Sequence, residues 1–447
     1  MGADRLLLRR MRPGAPAGDS AAPPWRPGAR TDHRAALPDP TDRLRALDAI
    51  LDASAWLWRP QPFKEVRPDW CGRLPALADH LLSLAEEDVE RLSRDQHGLI
   101  RRLALEVPEL SALEPLIRLP RAARHRLDDR GPHFDWGIPG RKRAQIQAFA
   151  EAVGPLQAPG LEWCGGKGHL GRLLALQWGL PVTTLEHDPR LCAEGTALAR
   201  RARASQGFRA GDARGAEAAG LLRGRHPVAL HACGDLHRTL LDRACAARAP
   251  ALHLVPCCYH LGISGTYEPF SSEARLRLAQ DELRLAVTET VTCAGREVRL
   301  RDREMAWKLG FDLLRRELTG EDRYRPLRPV DKGWLGLGFA GFCRALARRE
   351  GLRLRGAPPW PRLEAHGWRR RAEVMRLGLV RQGFRRALEL WLVSDLAAGL
   401  ERRGYRVDLS ELCPAAVTPR NCLISARLSP PESTLQGRLH RSACSSP

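Results

Sequence analysis

The sequence predicts an α/β fold built on a Rossmann-like, doubly wound sheet of seven strands, with a helical amino-terminal module and a helical insertion. Three observations predict it. Between about residues 140 and 267, short apolar runs alternate with stretches of helical periodicity, the pattern of βαβ units around a parallel sheet. A glycine cluster separates the first of those runs from the helix that follows it. Two further strand-like segments, Tyr405 to Leu412 and Cys422 to Leu428, come after a long helical stretch and are joined by a turn around Pro414 to Pro419.

In chain order, residues 1–40 are rich in Ala, Pro, Gly and Arg and bury too little apolar surface to offset chain ordering. A disordered leader is expected there, with Met11 a candidate start. From 41 to 130 apolar residues recur at helical spacing (Leu44, Leu47, Ile50, Leu51; Leu74, Leu77, Leu81, Leu82), with proline breaks at Arg59 to Pro62 and at Pro120. The first part of the sheet domain, 131–267, holds the runs Gly160–Cys164, Val182–Glu186, Phe208–Gly211, Val228–His231 and Ala251–Val255. Residues 268–400 read as a basic helical insertion, 401–428 as the last two strands of the sheet, and 429–447 as a flexible Ser/Pro-rich tail.

A chain of 447 residues has room for two or three domains and a full core, which excludes a small disulfide-stapled scaffold. The net charge of +20 points to an anionic partner such as nucleic acid. Within 351–410 Arg greatly outnumbers the acids, a segment that either follows a phosphate backbone or forms solvated helix faces. The cysteines lack repeated C-x-x-C spacing and read as reduced thiols, so a cytoplasmic location is expected. No apolar run suits a signal peptide or a membrane span; neither a membrane nor an obligate protein partner is expected.

The strongest local signal is Leu161-Glu162-Trp163-Cys164-Gly165-Gly166-Lys167-Gly168-His169-Leu170-Gly171, a strand that meets a glycine loop and then a helix. Gly166-x-Gly168-x-x-Gly171 satisfies a dinucleotide fingerprint, and Glu186 ends the next strand where a ribose-binding carboxylate belongs. That match alone does not separate NAD from S-adenosylmethionine. Glu162, at the strand's end, would repel a pyrophosphate but attract an amino group or sulfonium. Asp212, in Gly211-Asp212-Ala213 after the third strand, is suited to an adenine amino group. No Tyr has a Lys four positions later, so a short-chain-dehydrogenase proton relay is missing. These features favour S-adenosylmethionine as cofactor.

The fourth strand ends in His231-Ala232-Cys233-Gly234-Asp235-Leu236-His237 and the fifth in Pro256-Cys257-Cys258-Tyr259-His260-Leu261. Ligands of open α/β sheets bind beyond the carboxyl ends of the strands, so both clusters are expected at the reaction centre. Tyr259 is a candidate for stacking on a flat substrate or for facing the sulfonium. Asp235 and His260 are candidate bases. A metal is not expected, because adjacent Cys257 and Cys258 on an extended segment point to different sides.

Glu-Trp-Cys-Gly-Gly-Lys-Gly-His-Leu-Gly, His-Ala-Cys-Gly-Asp-Leu-His and Pro-Cys-Cys-Tyr-His together resemble the methyltransferase-like twenty-five family, similar in turn to eukaryotic tRNA 2′-O-methyltransferases of the acceptor stem. The basic helix start Gly140-Arg141-Lys142-Arg143 and the turn Thr418-Pro419-Arg420-Asn421 match the same family. The motifs cover about a third of the chain; the helical parts match only loosely, through Leu57-Trp58-Arg59-Pro60-Gln61-Pro62-Phe63. The resemblance implies a class I methyltransferase fold and donor-binding roles for Glu162, Gly166, Gly168, Glu186, Asp212 and Asp235. Cys164, Gly165, Leu170, His187, Ala213 and Cys233 complete the candidate donor site. Cys164 replaces the first glycine of the commoner loop, and its backbone is expected to need no positive φ.

If the seventh strand returns antiparallel, the turn before it lies at the ligand edge of the sheet. Arg420 there is a candidate for gripping a phosphate, and Asn421 for orienting an acceptor, unless the turn is hairpin chemistry alone. The expectation is methyl transfer aided mainly by alignment, with Asp235, His260, Cys257, Cys258, Tyr259 and Asn421 as catalytic candidates. RNA, and within it tRNA, is the leading acceptor, bound through Arg141, Lys142 and Arg420. A small-molecule or protein methyltransferase, or a catalytically silent RNA-binding scaffold, are the alternatives.

Overall fold

The computed structural model describes residues 38–131, 134, 137–288, 295–354 and 356–430. The expected leader with Met11 and the expected tail lie almost wholly outside the described residues. Seven strands, β1 (Gly160–Trp163), β2 (Val182–Glu186), β3 (Gln206–Ala210), β4 (His226–Cys233), β5 (Ala251–Cys257), β6 (Tyr405–Glu411) and β7 (Cys422–Leu428), form one sheet in the order β3-β2-β1-β4-β5-β7-β6. The first five are parallel; β7 runs antiparallel between β5 and β6. The switch in strand order between β1 and β4 opens the crevice in which such sheets bind ligands.

Helices α1 (Pro40–Ala53), α2 (Ala55–Trp58), α3 (Trp70–Arg73), α4 (Pro75–Ser83), α5 (Glu86–Arg94), α6 (Gln96–Ala104) and α7 (Leu113–Leu116) precede the sheet. Local chemistry starts α1: Asp39 accepts the Asp42 amide at 2.8 Å, and Pro40 needs no amide partner at its position. Helices α8 (Gly140–Val153), α9 (His169–Trp178), α10 (Pro189–Arg201), α11 (Ala216–Gly220) and α12 (Asp235–Ala246) accompany β1 to β5. Between β5 and β6 lie α13 (Gln280–Val287), α14 (Gly295–Thr319), α15 (Gly338–Arg349), α16 (Trp360–Gly383) and α17 (Arg385–Glu401). Among the described residues no helix is long and apolar enough to cross a membrane.

Alternation along the strands feeds two cores. Val182, Val228, Val255 and Leu423 face α8 and α9, while Leu161, Leu185, Ala229, Leu254 and Ile424 face the opposite layer. That second core is continuous with the amino-terminal helices and with α16 and α17. Asp48 of α1 ties it together, accepting from the Trp391 indole at 2.9 Å and from the amides of Arg275 and Leu276 at 2.7 and 2.8 Å. The amino-terminal helices, α13, α17 and the second half of α16 thus share one core with the sheet, while α14, α15 and the start of α16 build a further core around Trp307, Phe311 and Phe342.

Within the Arg-rich stretch 351–410 five arginines hold helices together, while Arg362, Arg369, Arg402, Arg403 and Arg406 are exposed. Arg370 donates to the Pro62 carbonyl, Arg376 to that of Leu84, and Arg385 to that of Thr288. Arg371 pairs with Glu86 and Asp302, and Arg386 with Glu389 and Glu411. These guanidinium groups tie helices together because a planar group with five donors satisfies carbonyls and carboxylates that one ammonium cannot.

Candidate functional site

The β1–α9 turn carries three left-handed residues, Cys164 (φ 55), Gly166 (φ 60) and Gly168 (φ 64). Cys164 therefore does adopt a positive φ, against expectation: the turn there follows the glycine pattern even though the residue has a Cβ. A Cβ on Gly165 would come within 2.4 Å of the Glu162 carboxyl carbon, so this glycine lets the loop lie directly on that side chain.

Glu162 is 4% exposed and does not reach the ligand crevice. Its carboxyl accepts from the Thr184 hydroxyl at 2.8 Å and from the Gly171 amide, while burial, opposed by both hydrogen bonds, raises its pKa to about 7. Gln206 continues the network, donating to the Thr184 hydroxyl and to the Gly168 carbonyl, each at 2.8 Å. Glu162 thus supports the loop from below and does not line the cleft. Leu170 likewise is buried in the α8–α9 core.

Beyond the strand ends lies a cleft of about 450 Å³, lined by Cys164, Leu185, Glu186, His187, Gly211, Asp212, Ala213, Arg214, Cys233, Asp235, Leu236, Leu261 and Gly262. Its volume is that of a small-molecule site. Burial alone would raise the pKa of Glu186, but the amides of Asp188, Gly166 and His187 and the His187 ring outweigh it and hold the carboxylate below its ordinary range. Three of these donors fall on Oε1 and only the Gly166 amide on Oε2, which keeps acceptor capacity. Across the cleft the Arg214 amide donates to Asp212 Oδ1 at 2.9 Å and lowers its pKa. The Asp212 turn is itself clamped from α12, where Arg243 donates to the carbonyls of Ala213 and Gly215 at 2.7 Å and to that of Arg214.

At the ends of β4 and β5 the backbone is irregular. A register shift between Leu230 and Ala232 leaves His231 as a bulge with φ 64, its Nε2–H donating to Gln145 Oε1 at 3.1 Å. Burial, with Arg420 nearby, lowers the His231 pKa to about 4. Cys258 is also left-handed (φ 48), so the segment is not extended there and the expectation that Cys257 and Cys258 point apart fails. The Sγ atoms of Cys233, Cys257 and Cys258 all lie within 4.8 Å of one another. Thiol donors from Cys233 and Cys257 hold the Cys258 sulfur well below the ordinary thiol range.

Tyr259 faces away from the cleft. It is buried, its ring edge-on to His237 with centroids 5.6 Å apart, and it does not line the cleft where stacking on a substrate was expected. His260 is half-buried, and burial together with Arg284 lowers its pKa. Asp235 lines the cleft and is fixed by its amide, which donates to the Leu261 carbonyl at 3.2 Å.

The acceptor-side candidates divide. Asn421 donates its amide to the Cys413 carbonyl at 2.8 Å, so its side chain serves the β6–β7 turn. Arg420 reaches the Val287 carbonyl and acts electrostatically on His231 and Cys258. Arg141, Lys142 and Arg143 are exposed in the first turn of α8, and Lys142 acts electrostatically on His231. Arg214, Leu236, Leu261, Gly262 and the clamp Arg243 went unanticipated; the glycine after Leu261 and the basic residue beside Asp212 were the signals available.

Residues 141–262 match a family model described as a methyltransferase domain. No curated protein and no solved structure matches the chain. The matched stretch ends at the cleft, and the fold and the domain together assign S-adenosylmethionine as cofactor. The cleft fits that molecule: two carboxylates held ionised by backbone amides flank an apolar floor of Leu185, Ala213 and Leu236.

Proposed function

We propose that this S-adenosylmethionine-dependent methyltransferase acts on RNA, tRNA being the first candidate. The observation that carries the reading is the start of α8. Arg141, Lys142 and Arg143 occupy a first helical turn with no acidic residue and no side-chain cap. Cations at a helix amino terminus oppose the macrodipole. Their charge and the helix dipole add to one positive field. Gln145, one turn on, joins this helix both to His231 and to the Val417 carbonyl of the β6–β7 turn. The field therefore borders the reaction centre, where it suits a phosphate backbone.

When bound, the cofactor supplies a methyl group on a sulfonium, already a good leaving group. Glu186 Oε2 suits the ribose hydroxyls and Asp212 Oδ2 the adenine amino group. Asp235, lining the same cleft, is suited to take the proton of the acceptor, and His231, held neutral by burial, to orient it through its bulged backbone. Most of the acceleration then comes from alignment.

The test incubates the chain with radiolabelled cofactor and, separately, with cellular RNA, protein and metabolite fractions. Label in RNA, with binding that weakens steeply as salt rises, is expected. Label entering only protein or metabolites would end the RNA assignment.

A further inference from the structure

Three thiols meet at the ends of β4 and β5, and the proton transfer assigned above uses none of them. Cys233 Sγ and Cys257 Sγ are 3.1 Å apart, and the Cys258 sulfur lies within 4.8 Å of both. Zinc–thiolate bonds of about 2.3 Å at tetrahedral angles separate ligand sulfurs by about 3.8 Å, within the span these distances define. We propose that Cys233, Cys257 and Cys258 bind a thiophilic divalent cation, zinc in the first instance, with one coordination position open toward the cleft.

Ordinary core cysteines do not need this arrangement. Two successive residues share a metal only if the backbone turns the second side chain back, and Cys258 does so with a left-handed φ of 48°. For a residue with a Cβ that conformation is unfavourable. The surroundings hold it in place. The Gly234 amide donates to the Cys257 carbonyl at 3.0 Å, and the Leu261 amide to that of Cys258 at 2.9 Å. A Cβ on Gly234 would come within 2.0 Å of the Leu261 carbonyl oxygen, so only glycine permits this stitching.

Charge and access agree. Three thiolates around a dication leave one net negative charge, and Arg420 acts on Cys258 with the opposite sign. Cys233 lines the cleft beside Asp235, whereas Cys257 is buried among core residues. The open position therefore lies on the cleft side. Binding forms three metal–sulfur bonds and releases the remaining thiol protons to solvent; water keeps the fourth position and no electron is transferred. Among the described residues no other group of three metal-ligating side chains comes together in this way.

The full chain, purified without chelators and then equilibrated with buffered zinc, is analysed by elemental mass spectrometry and by alkylation of its thiols. One equivalent of zinc is expected, with the two partly exposed thiols, Cys233 and Cys258, protected from N-ethylmaleimide and Cys71 still modified. Cobalt in place of zinc is expected to give thiolate-to-metal charge-transfer absorption. Cys258→Ser should lose the metal and the band, and Cys245→Ser should keep both. Failure of zinc to protect these thiols in the unmutated chain would overturn the proposal, as would a Cys233–Cys257 disulfide in metal-free reduced preparations. These readouts do not depend on which acceptor is methylated.

Discussion

The Thr184 hydroxyl donates to Glu162 Oε2 at 2.8 Å beneath the glycine loop, and it accepts from Gln206 at the same distance. One hydroxyl thus joins β1, β2 and β3 under the residues that turn toward the cleft. Thr184→Val keeps the shape and removes both hydrogen bonds, leaving buried Glu162 with the Gly171 amide alone and Gln206 with the Gly168 carbonyl. A loss of about 1–3 kcal/mol in urea unfolding is expected, with weaker cofactor binding by calorimetry. Unchanged stability would mean that the network does not support the loop.

Glu162 gives the same network a pH dependence. Its pKa is raised to about 7 by burial, so the stability it contributes is full below the unfolded value near 4.5 and is lost as pH rises through 7. Glu162→Gln removes the charge. Relative to the natural chain, the variant's melting temperature is expected to be higher at pH 8 than at pH 4.5. An equal difference at both pH values would contradict an ionising, buried Glu162.

The buried pair His226 and His253 acts with the opposite sign. The Gln157 amide donates to His226 Nδ1 at 3.1 Å, so His226 Nε2–H donates to His253 Nδ1 at 2.8 Å and both rings are neutral. Burial lowers the His226 pKa to about 4 and holds that of His253 well below its ordinary value. Both rings titrate near 6.5 when unfolded, so stability present above that value is lost as pH falls toward 4, by at most roughly 3 kcal/mol for His226. Melting temperature measured from pH 7 to 4.5 should fall, and less steeply in a His226→Gln, His253→Gln variant.

Arg243 acts on the cleft without lining it. Arg243→Ala frees three carbonyls of the Asp212 turn, and cofactor affinity is expected to fall about tenfold, with turnover at saturating cofactor nearly unchanged. Arg243→Lys, with one donor group in place of a fork, should recover only part of the loss. A turnover defect with normal affinity would remove Arg243 from this role.

Replacing Arg141, Lys142 and Arg143 with Ala tests the field at α8. If each neutralises a phosphate, the plot of log affinity for RNA against log salt becomes shallower by about 0.7–0.9 per residue. A parallel shift of that plot, with its slope unchanged, would argue against direct phosphate contacts.

Period and punctuation made the sheet legible: β2 and β7 fall on the runs read from alternation, and the glycine loop marked the first crossover. Glu186, Asp212, Cys233 and Asp235 were legible because strand ends at a topological switch point face one crevice. Orientation was not legible. Glu162 and Tyr259 carry the right chemistry at strand ends but turn inward, because pleat and loop packing decide side from residue to residue. The gathering of Cys257 with Cys258 was hidden for a related reason: a left-handed residue with a Cβ leaves no mark in the sequence. The inward turn of Arg370, Arg371 and Arg386 was not legible either, because composition cannot distinguish a guanidinium that faces solvent from one that closes a helix pair.

Strand β7 slots between β5 and β6 only after more than a hundred intervening residues have been made. A fragment trimmed to 141–262 would expose the β5 edge and the apolar faces of Leu254 and Val255, a template for self-association. Such a product would precipitate and be scored inactive for want of a neighbour, so assays of this enzyme require β5, β6 and β7 on one polypeptide.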